Sequence, residues 1–86
     1  MRLTPFEREK LKEEILLLLY KDERDYAYRM YRKIKSAVNY PNMENALRSL
    51  EKQGFIKPIK EGRRTYFELT KKGKQKVEKL IGGEKQ

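Results

Sequence analysis

Three side chains suited to reading nucleic-acid bases lie close together in the middle of this chain. Asn42, Asn45 and Arg48 fall on the outer face of one predicted helix, towards its N-terminal end. Arginine can form two hydrogen bonds with one guanine, and asparagine can do the same with adenine, in a major groove that admits one α-helix. Glu44 lies among them and would repel phosphate unless it accepts from a cytosine amino group or pairs with Arg48. The alternative interpretation is a helix face that contacts only water.

A second set of cations lies at the tip of a predicted hairpin. Arg63 and Arg64 follow Gly62 in the stretch EGRRTYFELT, and Lys60 precedes it. Arginine is favoured in a narrow minor groove because the potential there is strongly negative. We therefore expect both arginines to reach the minor groove or the neighbouring backbone, and Lys60 to contact a phosphate. The alternative is a tip kept soluble by its charge, as edge strands often require.

Further basic residues flank these two regions and are candidates for phosphate contacts. Such contacts fix the position of a protein on DNA but carry no sequence information. The candidates are Arg29, Arg32, Lys33, Lys35, Lys52, Lys71 and Lys72. A lysine of this kind, taken alone, is more often a solvated surface charge than a phosphate ligand.

The charge of the whole chain favours a polyanionic partner. Its 86 residues include 22 Lys and Arg against 13 Asp and Glu, a net charge of +9. Residues 1–20 are neutral overall, so the positive excess lies in the rest of the chain. Nucleic acid is the first candidate partner and an anionic membrane surface the second. An ion-paired thermophile surface would explain the 41% of charged residues, but not the imbalance between the signs.

Composition argues against several other function classes. The chain contains no cysteine and no histidine, which excludes disulfides, thiolate chemistry and zinc ribbons. A general base would have to be a carboxylate or a lysine, and so small a domain offers little room for the pocket it needs. We therefore expect no enzymatic activity, no metal and no cofactor. No segment resembles a membrane span or a signal peptide, which predicts a cytoplasmic, nucleoid-associated protein.

Local signals predict where the helices begin and end. Thr4, Pro5 and Glu7 predict a capping box at the first helix. A charged connector, residues 21–25, separates this helix from a second one, for which Asp25 is the predicted cap. Two helices joined by a short turn then make a helix-turn-helix candidate.

The apolar spacing predicts three helices, a two-stranded hairpin and a last helix. The predicted bounds are about 5–20 for the first helix, 41–53 for the third, 55–60 and 65–69 for the strands, and 71–81 for the last helix. This order predicts an α+β domain that is mainly α. We expect one domain over residues 1–81, followed by a disordered tail at 82–86.

Three stretches resemble winged-helix transcriptional regulators of the PadR-like kind. AYRM (27–30) lies where PadR-like proteins show a Gly-Tyr-acid-Ile stretch. ALRSLEKQGFI (46–56) resembles their recognition helix, which ends in Leu-Glu-x-x-Gly-Leu-Ile. RRTYFELTKKGKQKVEKL (63–80) resembles their wing and the Leu-Thr-x-x-Gly entry to the next helix. MarR-like groups share part of these patterns. The likeness covers roughly residues 11–81.

The resemblance implies a winged helix-turn-helix fold, with the third helix in the major groove and the wing on the minor groove or backbone. It implies a sequence-specific, double-stranded-DNA-binding transcriptional regulator of prokaryotic type, either archaeal or from an archaeal virus. Low-specificity architectural DNA binding and a winged-helix protein-interaction module are the alternatives.

The same resemblance raises the question of dimerisation. PadR-like proteins normally form dimers through a long C-terminal helix, and this chain includes only its first turns. We expect a homodimer because two-fold pairing is usual among helix-turn-helix proteins. The candidate dimer surface, whose residues could instead be core, is Leu3, Phe6, Leu16, Leu17 and Tyr20.

Overall fold

The protein adopts a winged helix-turn-helix fold, as its sequence predicts. The computed structural model describes residues 2–82. Its elements are α1 (Pro5–Asp22), β1 (Arg24–Tyr26), α2 (Ala27–Lys33), a 3₁₀ turn (Lys35–Ala37), α3 (Tyr40–Lys52), β2 (Ile56–Glu61), β3 (Arg64–Leu69) and α4 (Lys71–Gly82). The strands form one antiparallel sheet in the order β1-β3-β2. Gly82 still belongs to α4, and the remainder of the predicted tail, residues 83–86, lies outside the described range.

Helix α1 begins at the predicted capping box. Thr4 Oγ1 accepts a hydrogen bond from Glu7 N at 3.1 Å, and Glu7 Oε1 accepts one from Thr4 N at 2.8 Å. These two bonds satisfy donors that a helix start leaves without intrahelical partners. The helix runs two residues beyond its predicted end and stops at Glu23, whose φ of 72° is left-handed.

Helix α1 also forms the centre of the core, because α3, α4 and the sheet all pack against it. Its fully buried side chains are Leu11, Ile15, Leu16 and Leu19. Burying each such side chain contributes roughly 1.5–3 kcal/mol. Leu3 is buried as well, with 9% of its surface exposed. Leu3 and Leu16 therefore stabilise the fold of a single chain, and placing them on a dimer surface is wrong.

Strand β1 is an element that the apolar pattern does not predict. It occupies the second half of the predicted connector, residues 21–25, and pairs Asp25 with Phe67 and Tyr26 with Tyr66. Three residues are too few to show the alternation that marks a strand, so the partner strand β3 specifies this one. The predicted Asp25 cap is also wrong, because Tyr26 is the N-cap of α2 and Asp25 lies in the strand.

The helix-turn-helix consists of α2, the 3₁₀ turn and α3. Helix α2 has only seven residues and ends at Lys33, because the 3₁₀ turn and a left-handed Val38, φ 73°, follow it. Asn39 then caps α3, with its side-chain oxygen accepting from Asn42 N at 2.9 Å. Gly54 follows the end of α3 with a φ of 84°, a conformation that favours glycine.

The wing is the hairpin of β2 and β3. Glu61 pairs with Arg64, so Gly62 and Arg63 form a two-residue turn. Gly62 has a φ of 62° and Arg63 does not have a positive φ, which fits a type II′ turn with glycine at its first central position. The turn therefore places Arg63 at the outermost point of the wing.

Helix α4 is seated on the chain segment that leads into the wing. Thr70 donates its backbone N–H to the Phe55 carbonyl at 3.0 Å and its hydroxyl to the Gly54 carbonyl at 2.6 Å. The same hydroxyl accepts from Gly73 N at 3.0 Å. Gly73 packs so closely that an added Cβ would lie 3.0 Å from the Phe55 carbonyl carbon. This contact gives a physical reason for the Leu-Thr-x-x-Gly pattern.

Candidate nucleic-acid interface

The exposed face of α3 carries two of the three predicted base-reading residues as a bonded pair. Arg48 Nη1 donates a hydrogen bond to Asn45 Oδ1 at 3.1 Å, and both residues are exposed. Met43, Leu47 and the residues around them anchor the opposite face of the helix in the core. Glu44 is exposed too, but within residues 2–82 it forms no ion pair with Arg48. The partner of Arg48 is therefore Asn45, and not Glu44 as the sequence suggested.

Asn42, the third predicted base reader, contributes to the turn before α3. Its side-chain Nδ2 donates to the Ala37 carbonyl at 2.6 Å, and its backbone N–H donates to Asn39. It is half-buried, unlike Asn45 and Arg48. The side-chain amide that would donate to adenine therefore already has a partner, and the geometry gives Asn42 a positioning role.

A cleft of about 610 Å³ separates the beginning of α1 from α3. Its polar and charged lining residues are Arg2, Arg8, Glu9, Lys12, Asn42, Asn45 and Ser49. Lys12 bridges the two helices, with its Nζ 3.5 Å from Ser49 Oγ and 3.5 Å from Gln53 Oε1. Arg2 and Arg8 are exposed and line the same cleft as Asn45.

The sequence alone does not reveal these two arginines as part of the candidate interface. The zero net charge of residues 1–20 conceals them, and no local pattern connects the start of the chain with α3. Their proximity to α3 arises from helix packing.

The two wing arginines lie in different environments. Arg63 and Lys60 are exposed near the tip. Arg64 begins β3, and its guanidinium carbon lies 4.1 Å from the centre of the Tyr26 ring. This distance is within the range of a cation–π contact. Arg64 is therefore directed across the sheet towards β1, whereas Arg63 occupies the turn.

Two of the predicted phosphate ligands hold α2 against the sheet. Asp25 is fully buried, and its Oδ1 accepts from Tyr26 N at 2.8 Å and from Arg29 Nε at 2.6 Å. Its Oδ2 accepts from Lys33 Nζ at 3.1 Å, and Lys33 also donates to Asp22. The hydrogen bond with Asp25 raises the pKa of Arg29, and those with Asp22 and Asp25 raise the pKa of Lys33. Both cations thus compensate a buried carboxylate, which would otherwise be costly.

Arg24 neutralises the two carboxylates on the outer face of the sheet. Its Nη2 lies 3.0 Å from Glu61, and its Nε lies 3.7 Å from Glu68. Its guanidinium also lies 4.7 Å from the Tyr66 ring centre. Tyr66 in turn meets Tyr26 edge to face at 5.7 Å. Together these residues form a layer of rings and guanidinium groups over the sheet.

The remaining phosphate candidates lie on the surface around the helix-turn-helix and α4. Arg32, Lys35, Lys52 and Lys71 are exposed. Lys72 Nζ donates to the Gln53 carbonyl at 2.8 Å, so it caps the end of α3. Its position favours a structural contribution over a phosphate contact.

A cluster of three tyrosines fills the junction between α2 and α3. Tyr28, Tyr31 and Tyr40 have ring centres 5.6–6.1 Å apart, and Arg32 lies 5.9 Å from the Tyr28 ring. Burial, with a further contribution from the charge of Glu44, raises the pKa of Tyr40. The cluster joins the two helices through aromatic contacts.

Three apolar side chains of α1 remain exposed on its outer side. Phe6 is 78% exposed, Leu17 41% and Tyr20 42%. They are the members of the predicted dimer surface that the core leaves accessible.

Fold and surface together define a winged-helix domain that presents exposed arginine from α3 and from its wing. No helix among residues 2–82 is long and apolar enough to cross a membrane. Across the same residues, no group of acidic side chains is arranged to hold a metal ion.

Solved structures with this architecture include a transcriptional regulator. The regulator Cth-833 from Clostridium thermocellum is 26% identical to this chain, with a TM-score of 0.71 over 99% of this chain and 93% of that one. A complex structure of hsRosR-S1 is 21% identical, with a TM-score of 0.72 over 92% of this chain and 70% of that one, which shows the fold alone. No protein-family model matches the sequence, and no curated protein matches it significantly. The PadR-like resemblance therefore stays a prediction.

Proposed function

We propose that this protein is a sequence-specific, double-stranded-DNA-binding transcriptional regulator, PadR-like and of archaeal type, with no enzymatic activity. The observation that carries the proposal is the exposed Asn45–Arg48 pair on the outer face of α3. The net charge of +9 and the likeness to a transcriptional regulator over 99% of the chain support it. Such a protein would act in the cytoplasm on the nucleoid.

Arg48 is the principal base reader in this proposal. Its bond to Asn45 uses one guanidinium nitrogen, and among residues 2–82 the other nitrogens make no hydrogen bond. They can donate to the O6 and N7 atoms of a guanine, a contact worth about 1–3 kcal/mol of discrimination. Asn45 orients the arginine and can itself contact the neighbouring base, while Asn42 stabilises the turn that positions the helix.

The wing and the surrounding cations would hold the domain on the DNA backbone. Arg63 at the tip is the candidate for the minor groove, and Lys60 for a phosphate beside it. The exposed cations around α3 and at the start of α4 are further phosphate contacts: Arg32, Lys35, Lys52 and Lys71. Arg2 and Arg8 extend this surface on the side of α3 that faces α1. Each phosphate neutralised releases counterions, so binding should weaken steeply with salt.

We also propose that two copies pair through the outer side of α1. Phe6 and Leu17 are about three helical turns apart and so lie on nearly the same side of the helix, with Tyr20 beside Leu17. Pairing would bring two recognition helices to successive half-sites. Sedimentation of the wild type and of Leu17→Glu tests this: a dimer that Leu17→Glu converts to a folded monomer supports it, and a wild-type monomer on DNA contradicts it.

The experiment that tests the proposed function is fluorescence anisotropy with labelled duplexes at several salt concentrations. A preferred site is first selected from a random pool, and binding to this site is compared with binding to scrambled duplex. Arg48→Ala should lose roughly 5- to 150-fold on the selected site, corresponding to about 1–3 kcal/mol, and much less on the scrambled one. Lys52→Ala on the same helix is the matched control and should lose affinity equally on both.

The outcomes separate the proposed function from its alternatives. Tight, salt-dependent binding without any sequence preference would indicate an architectural DNA-binding protein. If the wild type fails to bind duplex at low salt, the regulator proposal is rejected, and a protein-interaction module becomes the better interpretation.

A further inference from the structure

Two arginines from separate elements contact the same aromatic ring. The guanidinium carbon of Arg29, on α2, lies 5.1 Å from the Tyr26 ring centre, and that of Arg64, on the wing, lies 4.1 Å from it. The two carbons are therefore at most about 9 Å apart. Like charges at such a distance repel each other, and an anion bound to both would offset that repulsion.

The two carboxylates of the wing strands on the Arg64 side of this pair are already engaged by another cation. Glu61 lies opposite Arg64 in the β2–β3 ladder, yet it pairs with Arg24 at 3.0 Å. Arg24 also forms an ion pair with Glu68, at 3.7 Å. Throughout residues 2–82, Arg64 forms no ion pair.

Arg29 is oriented by a buried partner and remains accessible at its end. Asp25 binds its Nε at 2.6 Å, while half of the Arg29 side chain is exposed. Within the described residues, the terminal guanidinium nitrogens of Arg29 make no hydrogen bond. Those nitrogens can therefore donate to an external oxyanion, and the Asp25 bond reduces the conformational entropy that such binding costs.

We propose that Arg29 and Arg64 together bind one backbone phosphate of DNA beside the Tyr26 ring. This proposal rests on the proposed function and deepens it by naming a phosphate site. Tyr26 positions both guanidinium groups, and its edge contact with Tyr66 fixes the ring. Guanidinium groups match phosphate oxygens in geometry and charge.

The site would join α2 to the wing. A phosphate held by both arginines fixes the wing at a set angle to the recognition helix that follows α2. The two wing arginines then have separate tasks: Arg64 binds backbone, and Arg63 alone enters the groove. This division gives a reason for the different surroundings of the two neighbouring arginines, since Arg63 lies in the turn and Arg64 lies against Tyr26.

The first test locates the phosphate on DNA. Single phosphates of the selected duplex are replaced one at a time by neutral methylphosphonate, and affinity is measured for each duplex. Wild type should lose affinity at several positions, one for each phosphate contact, and at one of these positions both Arg29→Ala and Arg64→Ala should abolish the loss. Arg63→Ala is the matched control and should retain it.

A second test uses no DNA and does not depend on folding of the Arg29 variant. Inorganic phosphate is titrated into the wild type while the side-chain Nε–H signals of the arginines are followed by NMR. The signals of Arg29 and Arg64 should shift with the same apparent affinity for phosphate. Tyr26→Leu, which retains both arginines, should lower that affinity. The Arg63 signal should follow a different, weaker curve.

The results distinguish failure of this site from failure of the proposed function. If the two variants affect different phosphates, or all exposed arginines respond alike to inorganic phosphate, the shared site is rejected while DNA binding stands. If wild type binds no duplex at all, the DNA-phosphate proposal falls together with the proposed function.

Discussion

Replacing Gly73 by alanine should destabilise the protein severely. The new Cβ would lie 3.0 Å from the Phe55 carbonyl carbon and 3.2 Å from Leu69 Cδ2. The Phe55 carbonyl oxygen is the atom nearest to the new methyl carbon, closer than the carbonyl carbon and in direct clash with it. Leu69 can change its rotamer, but the Phe55 carbonyl cannot turn away without losing the hydrogen bond from Thr70 N.

The size of this loss of stability follows from the displacement of α4 that the new methyl group requires. Relief of the clash requires α4 to lift by about 1 Å, which stretches the bonds from Thr70 to the Phe55 and Gly54 carbonyls. Each bond contributes about 1 kcal/mol, and overpacking typically costs about 1–3 kcal/mol. Alanine recovers up to about 1 kcal/mol through its higher helix propensity. We therefore expect a net loss of about 2–4 kcal/mol, out of a total of roughly 5–15 kcal/mol for a small domain.

Urea unfolding followed by circular dichroism measures this loss. Gly82→Ala is the matched control in the same helix, because a Cβ there meets nothing within 4 Å. The control should be unchanged or up to about 1 kcal/mol more stable. If Gly73→Ala is as stable as Gly82→Ala, α4 does not sit on Phe55, and the physical account of the Leu-Thr-x-x-Gly pattern is refuted.

Three further changes have expected outcomes that follow from single features. Val38→Gly should raise the free energy of unfolding by about 0.5–1 kcal/mol, because the left-handed φ of 73° strains a β-branched residue and its side chain is exposed; a loss in thermal or urea unfolding would refute this. Asp25→Ala should lower stability by about 1–3 kcal/mol in the same assay, since Tyr26 N and two cations lose their acceptor; unchanged stability would contradict the role of the buried carboxylate. The pKa of Lys33 is raised above 10.5, so its stabilising contribution is complete below pH 10.5 and is lost as the pH rises through the folded-state value; stability should fall in that alkaline window, and the fall should be smaller in Lys33→Met.

The helices and the wing could be predicted because each carries its own local signal. The capping box at Thr4, the glycine after α3 and the glycine turn of the wing depend only on neighbouring residues. Strand β1 carries no such signal, because three residues acquire their conformation from a partner about forty positions later in the chain. The end of α2 could not be placed from the sequence, because no local signal marks the 3₁₀ turn that begins at Lys35.

The candidate site could be predicted by residue type but not by role. Arg48 and Arg63 lie on the surface as expected. Arg29 and Lys33 fit the same description in the sequence, yet a buried carboxylate engages them, and burial of Asp25 depends on the unpredicted strand. Asn42 likewise resembles Asn45 until the turn before α3 is known.

The pairing of β1 with β3 has a topological consequence for the motions of the domain. Tyr26 and Tyr66 are opposite each other, so this short strand closes a loop, residues 27–65, that contains the whole helix-turn-helix and the wing tip. These three residue pairs hold the loop closed together with the packing of α3 on α1, so opening them would loosen α2 and the wing at the same time. Helix α2 and the wing should therefore form one cooperative unit, and the amides of β1 should exchange with solvent only when that unit opens as a whole.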